Sequence, residues 1–444
     1  MQVMKIALQH ISLSWTKRNT ILLLMLFAFI FWALRVSYWS TVSEEPFSDM
    51  AGFNDVAHGI AASWTFDWSP FWKTYTTPGL PIARAFQIIL FGDTLTAWRF
   101  FQATITFTAT LWLAYEIYLN SGSRALAFAL LFAVALSKPS IFWSLKLARE
   151  GLHEMLVYAL SACFLFSVRT RRSRVLVPFG MLMAALFLNR ANSLPLLPIA
   201  ALLIAISFST HVGTSDRANR HRLAFVLLAF SLGVGLLWIP WIIRSWNAYG
   251  EPVFLSTQGP YGVLWELGEI TVSLEDGRKV TTDVNKLQRE APVGFTTDLG
   301  ASKYAGEIAL AWLRGNVKKL PVLTLSRVRR TVYDRSIYLT KVSRQNLYDN
   351  FIDSLLIDKT PYTVCSGLLG LLLLGRLYRW EFLFLFAAAT IPWLSAAMHI
   401  GYPRMLEPAI PMILFGNVAW VALLYRATAD ARAHVASRWT STHS

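Results

Sequence analysis

The sequence predicts an all-α polytopic membrane protein of about ten transmembrane helices, with amphipathic helices at its outer face, and three observations predict it. Apolar runs of about 20 residues, the length that crosses a hydrocarbon core, recur along the chain. Only 15% of the 444 residues are charged and 55% are hydrophobic, against about 25% charged in soluble domains. The loops between the runs alternate between rich and poor in Arg and Lys, the asymmetry that orients helices in a bilayer.

At the N-terminus, Lys5, Lys17 and Arg18 flank an apolar run over 19–38. It exceeds a signal-peptide core and no small-x-small cleavage site follows it, so it is expected to stay as the first span. Further spans are expected at 96–118, 125–144, 153–168, 174–189, 194–209, 223–243, 361–379, 381–398 and 405–425. An even number of crossings puts both termini on one side. Arg124, Arg169, Arg171, Arg172, Arg174, Arg217, Arg220, Arg222, Arg376, Arg379, Arg426, Arg432 and Arg438 share that side and mark it as cytoplasmic.

The opposite face receives two large segments, 39–95 and 244–360, and short turns near 145–152, 190–193 and 399–404. The chain therefore divides into an N-terminal membrane module (1–243), a large outer loop (244–360), three further spans (361–425) and a tail (426–444). The halves show no internal repeat of the kind an inverted-repeat transporter carries. Within the first outer loop, Phe53, Val56, Ala57, Ile60 and Trp64 recur at helical spacing from Met50 to Trp64, with Asp55 on the solvated side. Leu80–Phe91 is also helical but too short to span, and both stretches read as interfacial helices. In the second loop, Ser302–Arg314 and Val317–Tyr338 form a basic helix pair carrying Lys318, Lys319, Arg327, Arg329, Arg330 and Arg335, suited to lipid phosphates.

A net charge of +15 raises nucleic acid as a partner, but no RNA- or DNA-binding motif accompanies it; cytoplasmic loops and anionic lipid account for the charge. Cys163 and Cys365 both sit inside apolar runs and give no disulfide framework. Walker, Rossmann, Gly-x-Ser-x-Gly and paired-His motifs do not occur. His58 and His399 read as interfacial polar residues, and no spacing resembles a zinc site.

Short outer turns should be poor in positive charge, yet they hold Lys146, Arg149, Arg190 and Arg404, and Arg244 sits where the seventh span emerges. Ionisable residues at membrane depth mark functional sites. Snorkelling to headgroups is the bland account of any single one. Five cations from different helices at one face point to a lipid-phosphate ligand, which arginine grips bidentately. Acids on that face are few. Asp49 opens the first interfacial helix, where it could serve only as a cap; Glu150 follows Arg149, where a local ion pair with Arg149 or Lys146 would explain it. Glu44, Glu45, Asp55, Asp67 and Glu154 are weaker candidates.

The pattern resembles the GT-C superfamily of polytopic glycosyltransferases, closest to the bacterial branch related to protein O-mannosyltransferases and lipid A aminoarabinose transferase. Asp49-Met50-Ala51-Gly52-Phe53-Asn54-Asp55-Val56-Ala57 is similar to that family's Asp-x-x-x-aromatic-x-x-x-Ala opening. Thr77-Pro78-Gly79-Leu80-Pro81, followed by Leu90-Phe91-Gly92-Asp93, resembles its Pro-Pro-Gly-Tyr-Pro…Phe-Gly element, and Arg99 matches the Arg that starts the second span. Arg149-Glu150-Gly151-Leu152 sits where the family places an acid. Asn189-Arg190-Ala191-Asn192 resembles its Thr-Arg-Pro turn. Trp238-Ile239-Pro240-Trp241-Ile242-Ile243-Arg244, continuing to Ser256-Thr257-Gln258-Gly259, and later Tyr402-Pro403-Arg404-Met405-Leu406-Glu407-Pro408, complete the order.

The resemblance implies an integral protein of a bacterial inner or plasma membrane, with cytoplasmic termini and an active site on the outer face. It implies inverting transfer of a sugar from a polyprenyl-phosphate donor to the hydroxyl of a lipid, glycan or protein acceptor. Asp49 would be the general base and Glu150 a second carboxylate, orienting the acceptor or holding a metal. Lys146, Arg149, Arg190, Arg244 and Arg404 would bind the donor phosphate. No cofactor is required by the sequence, and a divalent metal stays open because no Asp-x-Asp pair occurs in the first outer loop. The alternatives are a lipid or glycan transporter without catalysis and an envelope assembly subunit.

Overall fold

The computed structural model describes residues 17–39, 49–67, 73–209, 216–264, 269–274, 277, 279–283, 295, 297–334, 360–377, 380–399 and 402–420. Lys5, Glu44, Glu45, Arg335, Arg379, the end of the last expected span and the tail 426–444 lie outside the described residues.

Wherever it is described, each apolar run is helical. In chain order the helices are α1 (Lys17–Trp39), α2 (Asp49–Ser63), α3 (Gly79–Phe91) and α4 (Leu95–Ser121). They continue as α5 (Arg124–Leu136), α6 (Lys138–Leu145), α7 (Arg149–Thr170), α8 (Leu176–Asn189), α9 (Leu196–Ser209) and α10 (Asp216–Tyr249). Next come α11 (Gly259–Leu264), strands β1 (Glu269–Ser273) and β2 (Lys279–Asp283), and helices α12 (Asp298–Gly315) and α13 (Leu320–Tyr333). α14 (Pro361–Leu377), α15 (Leu383–His399) and a helix over 410–420 follow. Among the described residues, five helices are long and apolar enough to cross a membrane: Lys17–Trp39, Arg149–Thr170, Ala191–Ser209, His221–Tyr249 and Trp380–Met398. The described residues make a helical membrane protein with one small hairpin.

Local chemistry sets the breaks. Thr94 and Ser123 cap α4 and α5, accepting from Ala97 N (3.0 Å) and Leu126 N (3.3 Å). Gly122, at φ +71°, adopts the left-handed turn that ends α4. The run expected as one third span is two helices, because Pro139 cannot continue α5 and instead starts α6 after Ser137. The whole of α6 is buried, the condition under which broken backbone is tolerated at membrane depth.

α7 is the central post, buried along nearly its whole length between α4 and α8, and α8 in turn packs on α10. A polar knot joins α1, α6 and α7. Arg35, fully buried, donates to Ser140 Oγ and Ser144 Oγ (both 3.0 Å); Ser140 and Tyr158 donate to Glu154 Oε1 (2.5 and 2.9 Å). These partners keep an arginine and a carboxylate viable inside the helix bundle.

Both stretches expected between the first two spans are helical. α2 packs on α3 through Val56, Ala57, Ile60 and Ala85, with Asp55 exposed. The hairpin was not anticipated: its buried face is only Ile270, Val272 and Leu274, too short a run to announce a strand pair. Those side chains rest on Ile308 and Ala309 of α12.

Candidate active site

Where the loops after α2, α6, α8, α10 and α15 converge, they enclose a cavity of about 500 Å³. Asp49 and Phe53 come from α2, Thr77 from the loop before α3, Arg149 and Glu150 from the first turn of α7, and Arg190 from the end of α8. Ser256 and Gln258 close one side, and Arg404 and Met405 another.

Two carboxylates and three guanidiniums share this space. Glu150, 5% exposed, places Oε1 3.7 Å from Arg190 Nη2 and 3.8 Å from Arg404 Nε. Arg404 Nη2 also lies 3.6 Å from Asp49 Oδ2, so one side chain reaches both acids. Asp49 itself is exposed to the opening. Arg149 stacks over Phe53 at 4.8 Å and sits within electrostatic reach of both carboxylates. The partners of Glu150 thus include residues distant in sequence, beyond the local pair that its neighbours suggest. Burial pulls the Arg190 guanidinium down to about 10 while Glu150 opposes that fall, so it is a cation throughout the neutral range.

Close packing holds this geometry. A Cβ on Gly151 would collide with the Gln102 side chain and the Trp143 carbonyl, so only glycine lets α7 begin this near to α4. Gln102 Nε2 donates to Trp143 O (2.7 Å) at the same contact. On the opposite wall, Asn189 Nδ2 donates to Arg149 O (3.0 Å) and accepts at its carbonyl from Thr77 Oγ1 (2.8 Å). Trp143, which lines the cavity, donates through Nε1 to the buried Glu407 (2.6 Å), tying α6 to the segment that carries Arg404.

Two of the seven expected site residues lie elsewhere. Lys146 does not line the cavity: its ammonium is 5.8 Å from the Phe142 ring, and burial, reinforced by Arg99, lowers it to about 8. Arg244 is 2.8 Å from Asp67, donates to Lys73 O (3.2 Å) and lies over Trp241 and Phe66. It fastens the loop after α2 to the end of α10.

Sequence reasoning missed Asp298. Fully buried, it accepts from Thr74 N (3.1 Å), Thr257 Oγ1 (2.9 Å) and Tyr249 OH (2.6 Å). This one carboxylate draws the 73–77 and 251–258 loops together and so sets Thr77, Ser256 and Gln258 into the wall. The available signal was an acid directly after Thr297, a helix-start pattern that says nothing of distant partners.

The chemistry on offer is a carboxylate at a cavity mouth beside a second, buried one, with guanidiniums placed to meet an anion. Among the described residues, no three His, Cys, Asp or Glu side chains come together. The two acids already face three guanidiniums, so an added dication would enter a positive cluster.

No protein-family model matches the sequence, and no curated protein matches it in sequence. In fold, the chain is similar to the Archaeoglobus fulgidus oligosaccharyltransferase in its apo form (TM-score 0.52, 15% identity, covering 94% of this chain and 52% of that one). A second match is the archaeal oligosaccharyltransferase AglB from Archaeoglobus fulgidus in complex with an inhibitory peptide and a dolichol-phosphate (TM-score 0.51, 14% identity, 94% and 52%). A third is that organism's oligosaccharyltransferase in complex with Zn and sulfate (TM-score 0.51, 13% identity, 91% and 49%). This chain spans about half the length of those proteins. The likeness is one of fold.

Proposed function

We propose that the chain is a membrane glycosyltransferase that moves a sugar from a polyprenyl-phosphate donor to an acceptor hydroxyl at the outer face, with inversion. The observation that carries this reading is the single cavity lined by Asp49, Glu150, Arg149, Arg190 and Arg404, five residues from four separate segments. The fold shared with oligosaccharyltransferases, one of them bound to a dolichol-phosphate, supports a lipid-linked donor.

An acceptor hydroxyl is a weak nucleophile. Asp49 at the mouth takes its proton as the oxygen attacks the anomeric carbon, a contribution of about 10²–10⁴-fold. The bond from that carbon to the phosphate oxygen breaks on the opposite side, and the electron pair leaves with the phosphate. One displacement inverts the centre. Arg149, Arg190 and Arg404 meet the charge that grows on the departing phosphate, where preorganised donors favour the transition state. Glu150 holds Arg190 and Arg404 in place and orients the acceptor.

The same reading takes ten crossings, cytoplasmic termini, the division at 1–243, 244–360 and 361–425, and kinship with the bacterial branch. Lys146 and Arg244 become supports outside the cavity, and the lipid phosphates around α13 serve as anchors.

The test is transfer in proteoliposomes holding the purified protein, labelled polyprenyl-phosphate sugars and hydroxyl acceptors. Asp49→Asn keeps the shape and removes the base; the expected result is a loss of about 10²-fold or more with unchanged folding. Full activity in that variant sinks the assigned base, while sugar movement without a new glycosidic bond favours a transporter.

A further inference from the structure

We infer that the position between Asp49 and Glu150 belongs to Arg404 and is closed to a divalent cation, the guanidinium holding the two carboxylates together as a metal otherwise would. The question arises from the fold itself, because one protein of similar fold is seen with Zn and sulfate.

The geometry is specific. Arg404 presents Nη2 to Asp49 Oδ2 at 3.6 Å and Nε to Glu150 Oε1 at 3.8 Å, so two nitrogens of one planar group face two acids from different elements. A cation that bridged those acids would bond to their oxygens at about 2.0–2.6 Å and would need the volume the guanidinium fills. Charge argues the same way. Arg190 is 3.7 Å from the same Glu150 oxygen, and Arg149 adds a third positive group within electrostatic reach of both acids. A dication approaching this cluster meets net repulsion before it meets a ligand.

Arg404 has the support a fixed group needs. Its segment is anchored through the buried Glu407 to Trp143 of α6, which lines the same cavity. Arginine stays charged at any working pH and its fork of donors matches carboxylates, so it can act as a permanent monocation where a metal would exchange with solvent. The catalytic half of this inference rests on the glycosyltransferase reading; the occupancy of the position does not.

The experiment is therefore a Mn²⁺ titration, followed by electron paramagnetic resonance, on the purified full-length protein in lipid nanodiscs, with no sugar donor present. Wild type should hold no tight Mn²⁺. Arg404→Ala removes the one guanidinium that reaches both carboxylates, leaving Arg190 beside Glu150, and should bind Mn²⁺ at least about tenfold more tightly, a gain that Asp49→Asn or Glu150→Gln in the same background removes. Should Arg404→Ala fold poorly, Arg404→Gln keeps the bulk without the charge and carries the same expectation. Stoichiometric Mn²⁺ on wild type, lost on Glu150→Gln, would overturn the inference. In the transfer assay, EDTA should leave wild-type rates unchanged, and a tenfold fall restored by Mn²⁺ would also overturn it. If no donor is ever turned over while the resonance result holds, the enzyme reading fails and the occupancy of the position stands.

Discussion

Arg190 Nη2 lies 3.7 Å from Glu150 Oε1, and both side chains are almost wholly removed from solvent. A buried pair of this kind adds little net stability, since desolvation offsets attraction, but removing one partner strands the other. Arg190→Ala is therefore expected to cost about 3–5 kcal/mol, read as a lowered unfolding midpoint in detergent. Arg190→Lys should keep part of that stability and less of the transfer rate, because ammonium lacks the planar fork. Equal loss in both variants would mean that charge without the guanidinium fork does not hold α8 against α7.

Lys146 gives a pH signature of opposite character. Burial and Arg99 both penalise its ammonium, so the folded protein releases that proton near pH 8, whereas the unfolded chain keeps it until about 10.4. The penalty is full below pH 8 and disappears as pH rises through that window, so this residue makes stability rise with pH there. Lys146→Met should raise stability at pH 7.5 by about 1–3 kcal/mol and show a smaller advantage at pH 9.5. Thermal unfolding at the two pH values checks it. A variant less stable than wild type at both would show that the charge is held by an attraction stronger than its burial cost.

These two residues also mark what the sequence could reveal. Apolar length and charge alternation located the helices, and helical spacing located α2 and α3, because both signals are local. The same signals put Asp49, Glu150, Arg149, Arg190 and Arg404 at one end of the bundle. Nothing local, however, fixes the direction in which a side chain leaves a helix end. Lys146, three residues before Arg149, turns toward Phe142 and away from the cavity, and Arg244 turns to Asp67. Arg35 lay hidden inside an apolar run, its partners Ser140, Ser144 and Glu154 visible only after folding. The break between α5 and α6 was written in Pro139 but masked by continuous hydrophobicity on either side.

Asp298 predicts a loss of order confined to the two loops it joins. Asp298→Ala leaves three donors, from Thr74, Thr257 and Tyr249, without their buried acceptor. Each such group costs about 1–3 kcal/mol. The loops it joins lie outside the helix bundle, so the membrane core should persist while they loosen. Limited proteolysis should cut the 251–264 segment several-fold faster, with the overall helix signal kept. A cleavage pattern identical to wild type would mean that the backbone bond from Thr257 N to Thr74 O (3.0 Å) is enough to hold these loops.

Gly151 tests how finely the first turn of α7 must be set. Adding one methyl there forces it against the Trp143 carbonyl, which cannot give way without shifting α6, and against the Gln102 amide, which gives way only by leaving its bond to that carbonyl. Overpacking of this sort costs about 1–3 kcal/mol. The adjacent Glu150 would move with the turn, away from Arg190 and Arg404, whose pairing distances are already 3.7 and 3.8 Å. Gly151→Ala should therefore reduce transfer more than its stability loss implies, with much of the fall remaining at a temperature where the variant is fully folded. A purely structural glycine would instead recover full rate once unfolding is suppressed. The comparison separates packing that keeps the bundle together from packing that aims a carboxylate.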